Sequence, residues 1–228
     1  MSKKIMFNDK YGLTQAVLEG RKTMTRRICK YDRPDETYGI VSLAFEPIDY
    51  NNDRNVISTL DYAFCWKNNE GDFTDWNIPK YKVGEVVAIA QSYETIYHEK
   101  GLETLDMLVS NWKNSKGWRN NMFVRSDLMS HHIRIANIKI ERLQAISDED
   151  CIKEGVIPFE HIIPNDAKQV VTMYYPCQHM KDCANEIGWG RVYHTPREAF
   201  ASLIDKVSGR GTWNNNPYVF AYEFELID

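Results

Sequence analysis

The stretch His131-His132-Ile133-Arg134-Ile135-Ala136-Asn137-Ile138-Lys139-Ile140 (131–140, HHIRIANIKI) alternates apolar and polar side chains with the period of two that a half-buried strand requires. Its isoleucines change parity midway, since Ile133 and Ile135 are odd and Ile138 and Ile140 even. One extra residue near Ala136-Asn137 returns all four to one face, which predicts a β-bulge there. Upstream, Glu85-Val86-Val87-Ala88-Ile89-Ala90 reads as a buried strand after a turn at Lys82-Val83-Gly84. Downstream, Ser147 caps a short helix that opens on Asp148-Glu149-Asp150 and ends at Gly155. Thr195-Pro196-Arg197-Glu198 supplies Thr at N-cap, Pro at N1 and Glu at N3, a capping box ahead of Ala199, Phe200, Leu203, Ile204 and Val207, with Gly209 as the stop. The run from Tyr218 to Leu226 is a final strand, apolar at first and then alternating.

Near the other end, Asn8-Asp9 is placed to cap a short helix through Gly12, Leu13, Ala16, Val17 and Leu18, and Gly20 sits where such a helix stops. From about Tyr31 to Pro79 the chain is polar and aromatic, without a period, and carries turn signals at Asn51-Asn52-Asp53 and Asn68-Asn69-Glu70-Gly71-Asp72. This stretch reads as an insertion. Strands scattered between unequal helices and loops predict an α+β domain, a small curved β-barrel with flanking helices and long insertions.

The composition, 43% hydrophobic and 26% charged over 228 residues, excludes collagenous, wholly disordered and coiled-coil chains. No run of 18 apolar residues occurs, and no apolar segment follows the basic residues Lys3 and Lys4, so the chain is expected neither to span a membrane nor to carry a secretory leader. Five cysteines, an odd number without a compact framework, point to reduced thiols in a cytoplasm. The net charge of −4 conceals an asymmetry: residues 1–30 carry +6 and the rest −10. One basic end on an acidic body suits a local anion site better than a nucleic-acid footprint over the whole surface.

The basic end contains Gly20-Arg21-Lys22-Thr23-Met24-Thr25-Arg26-Arg27, whose cations and hydroxyls can hold a phosphate or carboxylate. The alternative is a basic edge strand whose charges discourage edge-to-edge pairing. Trp112, Trp118, Trp213, Tyr93 and Phe123 are candidates for stacking on a base, or else core residues. Cys177-Gln178-His179-Met180-Lys181-Asp182-Cys183, with His161 or His194, offers soft ligands, but the irregular spacing and the lack of a Cys-x-x-Cys pair favour free thiols and no metal. His131 and His132 alternate faces on their strand and read as structural.

Four segments in order, LTQAVLEGRKTMTRR, YKVGEVVAI, RIANIKIERLQAISDEDCIKEGV and TPREAFASLIDKVSGRGTWNNNPYVFAYEFELI, together resemble the ASCH domain in its phage and prophage form. The resemblance covers 80 of the 228 residues and leaves intervals near 31–79, 93–130 and 157–194 as insertions in one domain spanning 1–228. It implies a PUA-like β-barrel that binds RNA or a modified nucleobase in a cleft. It also implies an activity, because small bacterial members are amidohydrolases that remove the acetyl group of N4-acetylcytidine. Their lysine, threonine and glutamate fall on Lys22, Thr25 and Glu154. Arg21, Thr23, Arg26 and Arg27 become substrate or nucleic-acid contacts, and Trp118, Asn121 and Trp213 fall beside the expected cleft. No cofactor is implied, the partner is a modified nucleoside or RNA, and the location is the cytoplasm, that of the bacterial host for a phage gene.

The chemistry explains the trio. A threonine hydroxyl is a poor nucleophile until a neighbour takes its proton. Lys22 serves as that base only if burial or neighbouring arginines lower its pKa from about 10.4, with Glu154 orienting it or the leaving amine. In an alternative assignment Glu154 activates a water and Lys22 stabilises the oxyanion. A regular strand over 22–27 would send Lys22 and Thr25 to opposite faces, so the two meet only if Lys22 lies in the turn after Gly20. The reading from another class is a non-catalytic RNA-binding module, with Arg21, Arg26 and Arg27 on phosphates; a scaffold or phage regulatory role is a third.

Overall fold

The isoleucine parity change is resolved as the pattern requires. In a computed structural model, which describes residues 3–45, 61–101, 111–162, 170–187 and 191–228, the pairing register shifts between Ile135 and Asn137, and Ile133, Ile135 and Ile138 are all buried. Asn137 turns its side-chain oxygen onto the Ile138 N–H at 2.8 Å. The bulge thus satisfies a donor that the ladder loses.

In chain order the elements begin with β1 (Lys4–Ile5), α1 (Leu13–Leu18), β2 (Met24–Ile28), β3 (Gly39–Phe45), β4 (Asp61–Lys67), β5 (Val86–Ile89) and α2 (Tyr93–Glu99). There follow β6 (His132–Arg142), α3 (Asp148–Lys153), β7 (Ile157–Ile162), β8 (Val170–Tyr175), α4 (Gln178–Ile187), α5 (Pro196–Ser208), α6 (Thr212–Asn215) and β9 (Tyr218–Leu226). Five strands form one sheet in the order β1-β5-β6-β9-β2, antiparallel except for the β1/β5 pair. The pairs β3/β4 and β7/β8 are separate hairpins. The architecture is mixed α/β.

No backbone pairing joins β1 to β2 among the described residues, so the sheet is an open series of strands rather than a hydrogen-bonded barrel. Side chains span the gap instead. The Arg27 guanidinium donates to the Met6 carbonyl, and the Phe7 and Phe224 rings lie 5.6 Å apart.

The helix ends follow their local chemistry. Ser147 accepts from the Asp150 N–H, and Thr195 and Glu198 form the complete capping box. Ala199, Phe200, Leu203 and Ile204 of α5 are buried; Leu203 joins the main core, and the other three pack with Leu143, Ile146, Cys151, Val156 and Val219. The Asn8-Asp9 expectation needs correction. Asp9–Tyr11 form a separate 3-10 turn, closed at Gly12 before α1 begins, and Asn8 makes no side-chain cap. The Asp9 carboxylate accepts from the Thr14 hydroxyl instead.

The described parts of the stretch 31–79, residues 31–45 and 61–79, are also more ordered than its lack of period suggests. The Asn68 turn forms, with its side-chain oxygen accepting from the Glu70 and Asp72 N–H groups. Asn51-Asn52-Asp53 lies outside the described residues. Phe64 and Trp66 of β4 are fully buried in the main core, and the Phe64 ring lies 5.6 Å from Phe220. The interval 157–194 likewise contains the β7/β8 hairpin, with Phe159 stacked on Tyr175 at 4.5 Å. Among the described residues no helix is long and apolar enough to cross a membrane.

Because Phe64 belongs to the shared core, Phe64→Ala is expected to cost about 3–5 kcal/mol in a single cooperative urea transition. An unchanged midpoint would make the β3/β4 hairpin an appendage.

Candidate functional site

The site begins where α1 stops. Gly20 has φ +70, a left-handed conformation that a β-carbon disfavours, and the Arg21 and Lys22 N–H groups both return to the Ala16 carbonyl at 2.9 Å. Lys22 therefore lies in the connection before β2. Thr23 then docks its N–H on the Lys153 carbonyl at the end of α3, and its own carbonyl accepts from Phe224.

As an end strand, β2 pairs with β9 alone. The Cys29 N–H bonds the Tyr218 carbonyl and the Phe224 N–H bonds that of Thr23, so the odd residues of β2 face β9. By the alternation of an antiparallel ladder, Met24, Arg26 and Ile28 turn their backbone groups to the open edge. A cavity of about 690 Å³ runs along that edge. Lys22, Thr25, Arg26, Arg27 and Glu154 line it; Phe200, Leu203 and Ile204 of α5 form its apolar wall, and Asn8, Asp9 and Asn121 lie on it as well. An edge strand presents both of its faces to such a cavity, which is how Lys22 and Thr25 share it despite their spacing.

Behind the cavity is a buried ionic network. The Lys22 ammonium donates to Glu154 Oε2 at 2.6 Å, to the Met24 carbonyl at 2.7 Å and to the Glu154 carbonyl at 2.8 Å, which uses all three of its protons. Arg26 Nη1 reaches the other Glu154 oxygen at 3.1 Å, while its Nη2 pairs with Glu141 at 2.6 Å and Asp150 at 2.8 Å. Lys139 adds a bond to Asp150 at 2.6 Å. Sheet register explains the convergence. Arg26 and Lys139 both oppose Ala221 on β9, and a residue this small leaves the space above the sheet to the charged side chains.

Burial lowers the Lys22 pKa below the ordinary lysine value; Glu154 opposes that shift, and Arg27 and Arg26 add to it. For Arg26, burial works against the charge, but Glu154 and Glu141 outweigh it and the pKa is raised. Asp150 is likewise pushed upward by burial, yet its bonds to Lys139 and Arg26 hold the carboxyl below the usual range.

The candidates from sequence divide clearly. Lys22, Thr25, Glu154, Arg26, Arg27 and Asn121 are brought to one cavity. Asn121 donates to Asp9 at 2.8 Å. The Thr25 hydroxyl makes no hydrogen bond to any described residue and stays available. Arg21 pairs with Glu19 at the surface, away from the cavity, and Thr23 acts through its backbone. Trp118 packs edge-on against Tyr97 at 5.5 Å beside α2, and Trp213 packs on Phe200 at 6.1 Å. Tyr93 stacks with Trp112 at 5.0 Å in the α2 cluster. Cys177 is buried in the main core, and the Cys183 side chain lies outside the described residues. Among the described residues no group of three or more His, Cys, Asp or Glu is placed to hold a metal.

Sequence reading missed Glu141 and Asp150. Asp150 looked like one of three first-turn acids, and Glu141 stands just past the alternating run 131–140, so neither announced a cation 115 or more residues away.

Two expectations follow. Arg26→Met leaves Glu141, Asp150 and Glu154 without their shared counter-charge and should destabilise the fold by about 3–5 kcal/mol, read from urea unfolding at neutral pH. Because the folded pKa of Asp150 lies below its unfolded value of about 3.9, its contribution is complete above that value and is lost as pH falls through the depressed one. Stability of Asp150→Asn should therefore decline less steeply below pH ~4 than that of the wild type, and identical acid limbs would remove Asp150 from the account. Compared with protein-family models, with curated proteins and with solved structures, the chain matches none.

Proposed function

We propose that the chain is an ASCH-type, PUA-like protein that binds a nucleobase in the cavity at the open edge of β2 and hydrolyses an acyl-amide group on a cytidine-type substrate. One observation carries the reading: a lysine buried on a carboxylate faces the same cavity as an unengaged threonine hydroxyl.

The bonding pattern favours Lys22 over Glu154 as the base. Both Glu154 oxygens are committed, one to Lys22 and one to Arg26, which leaves neither to activate a water. Lys22 frees its lone pair by passing a proton to Glu154 Oε2 across 2.6 Å, a transfer that burial of the ammonium assists. The amine then takes the Thr25 proton as Oγ1 attacks the acyl carbon. The Arg26 N–H, turned to the open edge, is a donor for the resulting oxyanion. Collapse breaks the C–N bond, the exocyclic nitrogen takes the proton from Lys22, and water hydrolyses the threonine ester to regenerate the hydroxyl.

Incubation of purified protein with N4-acetylcytidine, followed by chromatography, is expected to show cytidine release. Thr25→Ala and Lys22→Arg should each slow it by about 10²–10⁴-fold, because arginine keeps the charge but stays protonated near neutral pH. Circular dichroism melts confirm folding. Full activity in Thr25→Ala removes the nucleophile assignment. Absence of release, with retained and steeply salt-dependent RNA binding, supports a non-catalytic module instead.

A further inference from the structure

On the other side of Arg27 lies a second cavity, of about 560 Å³. Met6, Arg27 and Ile28 line both cavities. The bond from the Arg27 guanidinium to the Met6 carbonyl makes these two residues the partition. The far wall is built by the 31–79 stretch, which brings Tyr31, Trp76 and Ile78.

That wall is fixed in place. Asn77 is buried, and its side chain accepts from the Tyr31 N–H at 2.9 Å and donates to the Tyr31 carbonyl at 3.3 Å. Its backbone exchanges two hydrogen bonds with Phe64, at 2.7 and 3.0 Å. Trp76 and Ile78 flank this anchor. Ile78 is 71% exposed and Ile28 48%, so apolar side chains stand open on two sides of the cavity.

The charge is of one sign. Arg27, Lys30 and Lys80 line the cavity and no Asp or Glu does. None of the three forms an ion pair with a described residue. Lys80 feels the crowding, since burial first, and then Arg27 and Lys3, lower its pKa. The lysines lean on rings, Lys30 at 4.8 Å from the Tyr31 centroid and Lys80 at 5.2 Å from that of Tyr81. Cations without an ion pair beside exposed apolar side chains and half-buried rings call for an anion that carries a flat apolar part. The volume falls in the range of small-ligand sites, and base stacking together with phosphate pairing is how single-stranded nucleic acid is held.

We propose that this second cavity is a nucleotide site, with the base against Trp76 and Ile78 and the phosphate against Arg27, Lys30 and Lys80. The assignment rests on the cavity's own walls and does not require hydrolysis at Thr25. A free mononucleotide and one residue of a single strand share this chemistry.

Calorimetric titration separates the possibilities, with cytidine, cytidine 5′-monophosphate and a single-stranded uridylate hexamer as probes. The proteins are the wild type, the Lys30→Ala/Lys80→Ala double variant, Trp76→Ala and Trp76→Phe, each checked for folding by its melt. At least one phosphorylated probe is expected to bind the wild type tenfold or more tightly than cytidine does. The double variant should lose at least tenfold for that probe while its cytidine affinity and its rate of N4-acetylcytidine turnover are unchanged. For the hexamer, removal of two phosphate contacts should also flatten the log–log salt dependence by about 1.4. Trp76→Ala should weaken binding and Trp76→Phe restore most of it. Binding of the monophosphate marks a free nucleotide as the ligand, and binding of the hexamer alone marks a strand. Equal affinity of wild type and double variant, no binding of either phosphorylated probe, or full affinity in Trp76→Ala overturns the assignment. Absence of turnover in the wild type bears only on Thr25 and Lys22 and leaves these binding outcomes as they stand.

Discussion

Two cations buried beside one strand have to be neutralised by side chains from elsewhere in the chain. Lys22 and Arg26 are 2% and 6% exposed, and a cation so placed is strongly destabilising unless it is paired and fully hydrogen-bonded. Glu141 arrives from β6, and Asp150 and Glu154 from α3 and its cap. These pairs hold the edge strand, the central strand and the short helix in one arrangement. The helix docks further through Thr23, whose N–H takes the last carbonyl of α3. The side chains that make the site chemically interesting are thus also those that fix its frame.

An edge strand is ordinarily a hazard, because its unpaired groups invite another strand. Here β2 is shielded by chemistry and by crowding. Lys22 occupies the Met24 carbonyl, α5 stands over one side, and Arg27 reaches across to the chain after β1. What remains open is a trough with an apolar wall and a basic floor. Arg27 divides it into two compartments that differ in character. One backs onto carboxylates; the other is lined by cations, rings and apolar side chains without a carboxylate.

The sequence made legible whatever is encoded within a few residues. Ser147, the Thr195–Glu198 box and the Gly20 stop are local contests between side chain and backbone, and the bulge is written in the parity of four isoleucines. Lys22 could be placed in a turn because alternation forbade a regular strand from uniting it with Thr25. Other features depend on partners distant in the chain. Arg26 looked like a phosphate contact, yet three carboxylates more than a hundred residues away claim it. Trp118 and Trp213 looked like stacking platforms, and each also packs against a ring of the protein, Tyr97 and Phe200. The 31–79 stretch shows no period, yet Phe64 and Trp66 enter the main core from it and Tyr38 packs against that core.

The bulge in β6 leaves this protein unequally tolerant of length changes. Ahead of it β6 pairs with β5 through Ile133 and Arg134, and beyond it Lys139 and Glu141 serve the ionic network from the opposite face to Ile138. Loss of the single residue Ala136 would remove the bulge itself, leaving the four isoleucines on one parity and every pair of the β6/β9 ladder with its partner. One further residue added there would instead turn the second half over, with Ile138 toward the carboxylates and Lys139 and Glu141 into the core. Gains and losses among related sequences should therefore gather in the connections, while between Ile135 and Glu141 only the bulge residue can be lost with both faces kept.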